Sequence, residues 1–80
     1  MAKDLLDLHG YKVDEVIAAV DRFLTQANTA ELSKVRIMTG KGTGAVQKEV
    51  LNLLKQAKYS WKFEKLANGK NNEGVLVVNL

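Results

Sequence analysis

Two short stretches of this sequence carry side chains that could act on a phosphate group. The first is the run Leu6–Gly10, with the sequence LDLHG, in which Asp7 and His9 are two residues apart. Residues two apart in a strand share a face, so these two side chains would lie together while the leucines enter the core. A carboxylate beside an imidazole can fix its tautomer or keep it cationic near neutral pH. Such an imidazole can serve as a general acid or base, which makes Asp7 and His9 the candidate catalytic residues.

The same run also has a structural interpretation. A histidine followed by glycine at the end of a strand is more often bonded to backbone than catalytic. Asp7 could equally cap or brace a neighbouring loop. The run alone therefore leaves catalysis and a purely structural role as alternatives.

The second stretch is Thr39–Gly44, with the sequence TGKGTG, directly before a predicted helix. Alternate glycines let the backbone approach a ligand closely, and the free N–H groups of a helix start form an anion site. The spacing matches neither the Walker loop nor the dinucleotide fingerprint, so nucleotide hydrolysis is not expected. A glycine-rich turn at this position can also be purely structural. The residues assigned to phosphate binding from the two stretches are Gly10, Thr39, Gly40, Lys41, Gly42, Thr43 and Gly44.

Hydrophobic periodicity predicts the elements that must position these stretches. The order is β-α-β-α-β-β, which favours an α/β fold of the α+β two-layer sandwich type, with a four-stranded mixed sheet and two helices. The final hairpin would make one strand pair antiparallel, and the apolar run Val75–Val78 predicts a strand at the sheet centre. The predicted strands are Lys3–His9, Lys34–Thr39, Ser60–Leu66 and Gly74–Leu80, the helices are Val13–Asn28 and Ala45–Lys58, and Gly40–Gly44 and Ala67–Glu73 connect them.

This topology would bring the two stretches together. If the first two strands are parallel neighbours, their carboxyl ends lie side by side, and ligands of open α/β sheets bind in that crevice. His9 and the amides of Gly40–Gly44 would then face a single phosphate.

Alternation along the strands divides the sheet into two faces. Trp61 and Phe63 share one face, where we expect them to cover the helices, although aromatic side chains could also stack on unpaired bases. The opposite face is uncovered in a two-layer fold, and its Arg36 could contact a nucleic-acid backbone. The residues expected on that uncovered face are Arg36, Met38, Lys62 and Glu64.

Composition limits the class of protein. Eighty residues predict a single domain, 1–80, and the net charge of +3 is concentrated in one half. Ser33–Lys70 contains nine basic and two acidic residues, as expected of a phosphate-seeking face, although a solvated lysine-rich surface would look the same. The absence of cysteine and of a long apolar run favours a cytoplasmic protein, or a domain of one, without a membrane partner.

Metal chemistry is limited by the same composition. One histidine and no cysteine cannot build a zinc site. A transient Mg²⁺ or Mn²⁺ ion on Asp7 and the substrate phosphates is compatible with the sequence, since such ions often use few protein ligands. No second clustered carboxylate supports one.

The two stretches, in this order, resemble the motifs of the small MutS-related domain, the Smr family. Its members carry an LDLHG-like motif at the first strand and an HGxGTG-like motif at the second, and Gly74–Leu80 looks like the family's last strand. The resemblance implies a fold similar to the C-terminal domain of bacterial translation initiation factor three. It also implies nucleic-acid binding and, in many members, endonuclease activity on DNA or RNA. The family's functional residues would fall on Asp7, His9, Gly40, Lys41 and Gly42.

One position departs from the family pattern and keeps a second hypothesis open. Thr39 stands where many members have histidine, although some members have TGxG here, and threonine cannot act as a base near pH 7. The first hypothesis is an endonuclease that nicks DNA or RNA. The second is a non-catalytic DNA- or RNA-binding module tethered to a larger MutS-related or RNA-processing parent. A third is a protein–protein module that uses the uncovered sheet face.

Overall fold

The computed structural model describes residues 4–40 and 44–80, and it has the predicted order of elements. Lys41, Gly42 and Thr43, to which phosphate binding was assigned, lie outside the described residues. The strands are β1 (Leu5–Asp7), β2 (Lys34–Met38), β3 (Ser60–Lys65) and β4 (Asn71–Asn79), and the helices are α1 (Val13–Thr29) and α2 (Ala45–Gln56).

The four strands form one mixed sheet in the order β1-β2-β4-β3. β1 and β2 are parallel neighbours, as the site hypothesis required. The final hairpin supplies an antiparallel pair, β3 with β4, and a second arises because β4 inserts between β2 and β3. The apolar run Val75–Val78 is buried throughout, which confirms the prediction of a central strand.

The core lies on one face of the sheet, under the helices. Leu6 pairs with Ile37, Ile37 with Leu76 and Leu76 with Phe63, so one row of apolar side chains crosses all four strands on that face. Trp61 and Phe63 pack against this core with ring centroids 5.2 Å apart at 75°, an edge-to-face contact. The prediction that they cover the helices is confirmed. The helical residues of the core are Val16, Val20, Phe23, Leu24, Ala27, Val50 and Leu54.

Both helices end with a non-glycine residue in the left-handed backbone region. Glu31 follows α1 and Lys58 follows α2, each with φ of 61°. After α2, the N–H of Tyr59 donates to the carbonyl of Leu54 at 2.9 Å, and the N–H of Lys58 donates to that of Lys55 at 3.2 Å. These two bonds form a Schellman motif, a position where glycine is preferred.

Replacing Lys58 by glycine is therefore expected to stabilise the protein. The free energy of unfolding should rise by about 1 kcal/mol, because an L-residue in the left-handed region costs roughly 1–2 kcal/mol and glycine does not. Urea unfolding measures the change. The matched control is Lys55→Gly inside the last turn of α2, which should lose about 1 kcal/mol. A loss of stability in Lys58→Gly would contradict the assignment.

Candidate phosphate-binding site

The carboxyl ends of β1 and β2 and the start of β4 meet at one edge of the sheet. The N–H of Leu8 donates to the carbonyl of Met38 at 2.9 Å, which continues the parallel pairing past the end of β1. The carbonyl of Gly74 accepts the N–H groups of Thr39 at 2.8 Å and Gly40 at 3.1 Å. The two sequence stretches therefore leave the sheet side by side, and α2 begins at Ala45 close behind them along the chain.

The first stretch forms a turn where an extended strand was predicted. β1 ends at Asp7, because its carboxylate Oδ1 accepts the backbone N–H of His9 at 2.9 Å and so bends the chain. Gly10 follows with φ of 81°, a conformation that L-residues rarely adopt. The strand prediction was wrong from Leu8 onward. His9 lies outside the strand, so alternation along β1 does not place its side chain on the same face as that of Asp7.

The polar residues of this turn are nevertheless exposed to solvent. Leu8 is 2% exposed and enters the core, whereas Asp7, His9 and Gly10 are exposed at the edge. The described hydrogen bond of Asp7 goes to the backbone of His9, so the carboxylate orients the peptide that carries the imidazole. Asp7 thus braces the turn, which is the structural role that the sequence left open for it. The same hydrogen bond fixes the position of the His9 backbone.

In the second stretch, the hydroxyl of Thr39 points into the structure. Its Oγ1 lies 3.4 Å from the carbonyl oxygens of both Gly40 and Gly74, and it accepts a hydrogen bond from Nε2 of Gln47 at 3.3 Å. These contacts assign Thr39 to holding the edge together. Gly44 begins α2 with φ of 82°, and its carbonyl accepts the N–H of Lys48 at 2.9 Å. The first turn of α2 therefore lies beside this edge, where Gln47 contacts Thr39.

Gln47 is a site residue that sequence reasoning missed. Its Nε2 donates to the hydroxyl of Thr39 and also to the backbone carbonyl of Glu73, which ties α2 to β2 and β4 together. No local sequence signal indicates this role, because the Glu73 carbonyl lies 26 residues away along the chain.

Replacing Gln47 by alanine is expected to loosen this junction. The variant loses two hydrogen bonds and leaves the Glu73 carbonyl without that donor, so the free energy of unfolding should fall by about 1–2 kcal/mol. Denaturant unfolding measures the loss. Gln56→Ala, an exposed glutamine at the end of the same helix, is the control and should change stability by less than about 0.5 kcal/mol. Equal stability of the two variants would remove the bracing role from Gln47.

Arg36, the remaining residue assigned to backbone contact, lies on the uncovered face of the sheet. Its Nη1 is 3.2 Å from Oε1 of Glu64, and the two side chains are 46% and 29% exposed. This pair crosses β4, which lies between β2 and β3. Arg36 and Glu64 share the uncovered face as predicted, but Arg36 projects from the middle of β2 and not from its carboxyl end.

Two further observations concern metal binding and membrane insertion, and both cover residues 4–40 and 44–80. No group of three His, Cys, Asp or Glu side chains there is arranged to hold a metal ion. Neither helix is long and apolar enough to cross a membrane.

A split β-α-β sheet with both helices on one face, and two motif-bearing turns at one edge, defines a two-layer α+β domain. The Smr domain model matches residues 6–80, and the chain belongs to this family. The resemblance seen in the sequence is thereby confirmed.

Relatives and solved structures agree with this assignment. Endonuclease MutS2 of Staphylococcus saprophyticus is 43% identical over 75 residues, which cover 94% of this chain and 10% of that protein. The crystal structure of the Smr domain of Thermus thermophilus MutS2 superposes with a TM-score of 0.80 at 34% identity and covers 95% of both chains. YdaL of Escherichia coli, a stand-alone small MutS-related protein, gives 0.83 at 25% identity over 96% of this chain and 63% of its own. The chain thus spans about a tenth of the length of its MutS2 relative.

Proposed function

We propose that this domain binds the backbone of DNA or RNA at the edge formed by β1, β2 and the start of α2, and cleaves a phosphodiester there. The observation that supports the proposal is the parallel pairing of β1 with β2, because the exposed His9 turn and Gly40 then leave the sheet at the same edge. Family membership and relatives named endonucleases support it.

The chemistry can be assigned to particular groups. Backbone N–H groups at the start of α2, the amides around Gly40 and the charge of Lys41 would hold the phosphate. The imidazole of His9 would take the proton of an attacking water or give one to the leaving oxygen. Asp7 would hold the His9 peptide in place, and it is the ligand available if Mg²⁺ or Mn²⁺ joins the substrate phosphates. Stabilisation of the charge on the phosphate would supply much of the effect.

A second candidate function is binding without cleavage, in the service of a larger parent chain. The contacts of Thr39 favour it, because a hydroxyl held between Gln47 and Gly74 does no acid–base work. His9 is the only histidine of the chain, so no second imidazole is available for acid–base chemistry. Both functions use the same edge and differ only in whether His9 moves a proton.

One assay separates the two functions. Supercoiled plasmid and a structured RNA are incubated with the protein, with Mg²⁺, with Mn²⁺ and with a chelator, and each mixture is analysed for cleavage and for a gel shift. Nicking or cutting establishes the endonuclease and identifies its substrate. A salt-sensitive shift with intact nucleic acid in every condition establishes the binding module. Neither a shift nor a cut would refute the proposed function in both forms.

A further inference from the structure

The sheet face that the helices leave uncovered, called the open face here, carries a cationic groove. The groove has a volume of about 350 Å³ and is lined by three basic, one acidic and two apolar residues. Its lining residues are Asp4, Lys34, Val35, Arg36, Lys62 and Val77. The excess of positive charge makes a polyanion the complementary occupant.

The strand register places these cations in line with the candidate site. Arg36 pairs with Val77 and Val77 with Lys62, so the two basic side chains flank Val77 in one row across the sheet. Lys34 lies two residues earlier on the same face of β2. At the rise of a strand, Arg36 is about 10 Å and Lys34 about 17 Å from Thr39, where β2 reaches the site. The basic side chains therefore lie within a few nucleotides of the edge.

We propose that the open face binds the phosphates of the nucleic-acid segment that leaves the candidate site, through Lys34, Arg36 and Lys62. This inference rests on the proposed function. It extends the contact from one edge of the sheet to a track along β2 and β3.

The contact along this track is with phosphates and not with bases. The chain has five aromatic residues, and all of them lie elsewhere. Tyr11 lines a groove between β1 and α1, and the other four lie in the core or pack against it from the helical side. Stacking of bases on aromatic side chains, which single-strand binders use, is therefore not available on the open face. Binding there is electrostatic and independent of sequence.

Glu64 restrains this track. Its carboxylate pairs with Arg36 at 3.2 Å and accepts a long hydrogen bond from Nδ2 of Asn72 at 3.5 Å. Phosphate must compete with that carboxylate for the guanidinium. Replacing Glu64 by the isosteric glutamine removes the negative charge, so Arg36 becomes available and nucleic-acid binding tightens.

The test measures affinity against salt for three variants and the wild type. The probes are a fluorescently labelled DNA hairpin and the RNA hairpin of the same sequence, titrated by anisotropy from about 50 to 200 mM salt. In Lys34→Ala/Lys62→Ala, the slope of log K against log salt should become shallower by about 2, one for each lost phosphate contact. In Glu64→Gln, binding should tighten and the slope should steepen by about 1. The charge-matched control is Lys55→Ala/Lys58→Ala at the end of α2, which should keep the wild-type slope.

The outcomes distinguish the inference from the function beneath it. The track is supported if the slope becomes shallower in Lys34→Ala/Lys62→Ala than in the control and if Glu64→Gln binds more tightly than the wild type. Equal slopes in the open-face variant, the control and the wild type would overturn the inference alone and leave the open face to a protein partner. Failure of the wild type to bind either hairpin would overturn the proposed function and the track with it.

Discussion

Replacing His9 by alanine is expected to abolish phosphodiester cleavage and to leave nucleic-acid binding and stability nearly unchanged. The imidazole is exposed at the edge where β1 and β2 end, and it is the only one in the chain. Loss of a general acid or base typically lowers the rate by about 10²–10⁴-fold. The turn should survive, because Asp7 bonds the backbone N–H of residue 9 and alanine retains that group.

The matched control for this variant is Asp7→Asn. Asparagine keeps an oxygen that can accept the N–H of His9 but removes the negative charge, so it separates bracing of the turn from electrostatic action on the imidazole. Bracing alone predicts near-normal cleavage by Asp7→Asn. Rates are measured on the substrate that the wild type cuts, with thermal unfolding in parallel. Full cleavage by the folded His9→Ala protein would exclude His9 from the chemistry.

Replacing Leu76 by alanine is expected to give the largest loss of stability of the variants considered. Leu76 is 0% exposed in the central strand β4, and it pairs with Ile37 on one side and Phe63 on the other. Leucine-to-alanine changes in a core cost about 2–5 kcal/mol, because apolar contact is lost and a cavity remains. In a domain of this size, each kcal/mol lowers the melting temperature by roughly 4–8 °C.

Leu66→Ala is the control for the loss at Leu76. Leu66 is 43% exposed just after β3, so the same chemical change should cost no more than about 0.5 kcal/mol there. Thermal and urea unfolding of both variants give the two losses. Similar values would contradict the placement of Leu76 at the centre of the core.

Much of the fold was predictable because its signals are local. The apolar run Val75–Val78 predicted a central strand, and β4 lies between two neighbours. The alternation around Trp61 predicted a side chain that covers the helices, and Trp61 packs against the core. Alternation and helical periodicity record which side of an element meets the core, so burial can be read without knowledge of the partner.

The end of β1 was not predictable in the same way. Asp7 and His9 continue the pattern of an extended strand, yet the Asp7 carboxylate bonds the His9 amide and ends the strand early. A short polar side chain competes with the sheet for backbone N–H groups, and the composition of the run does not decide that competition. Hydrophobic alternation alone therefore placed the strand boundary two residues too far along the chain.

The sequence by itself determined the family, the order of elements and the two motifs, since each depends on residues close together in the chain. The tertiary structure decided that the second neighbour of β4, which the sequence already predicted to be central and paired with β3, is β2, so that β4 inserts between β2 and β3. It also decided which groups meet across that insertion: Gln47 with the Glu73 carbonyl, 26 residues away, and Arg36 with Glu64, 28 residues away. Such contacts depend on strand order and register, which many sequences with the same periodicity could satisfy differently. The hydrogen bond of Gln47 to the Glu73 carbonyl and the ion pair of Arg36 with Glu64 could therefore be identified only from the folded structure.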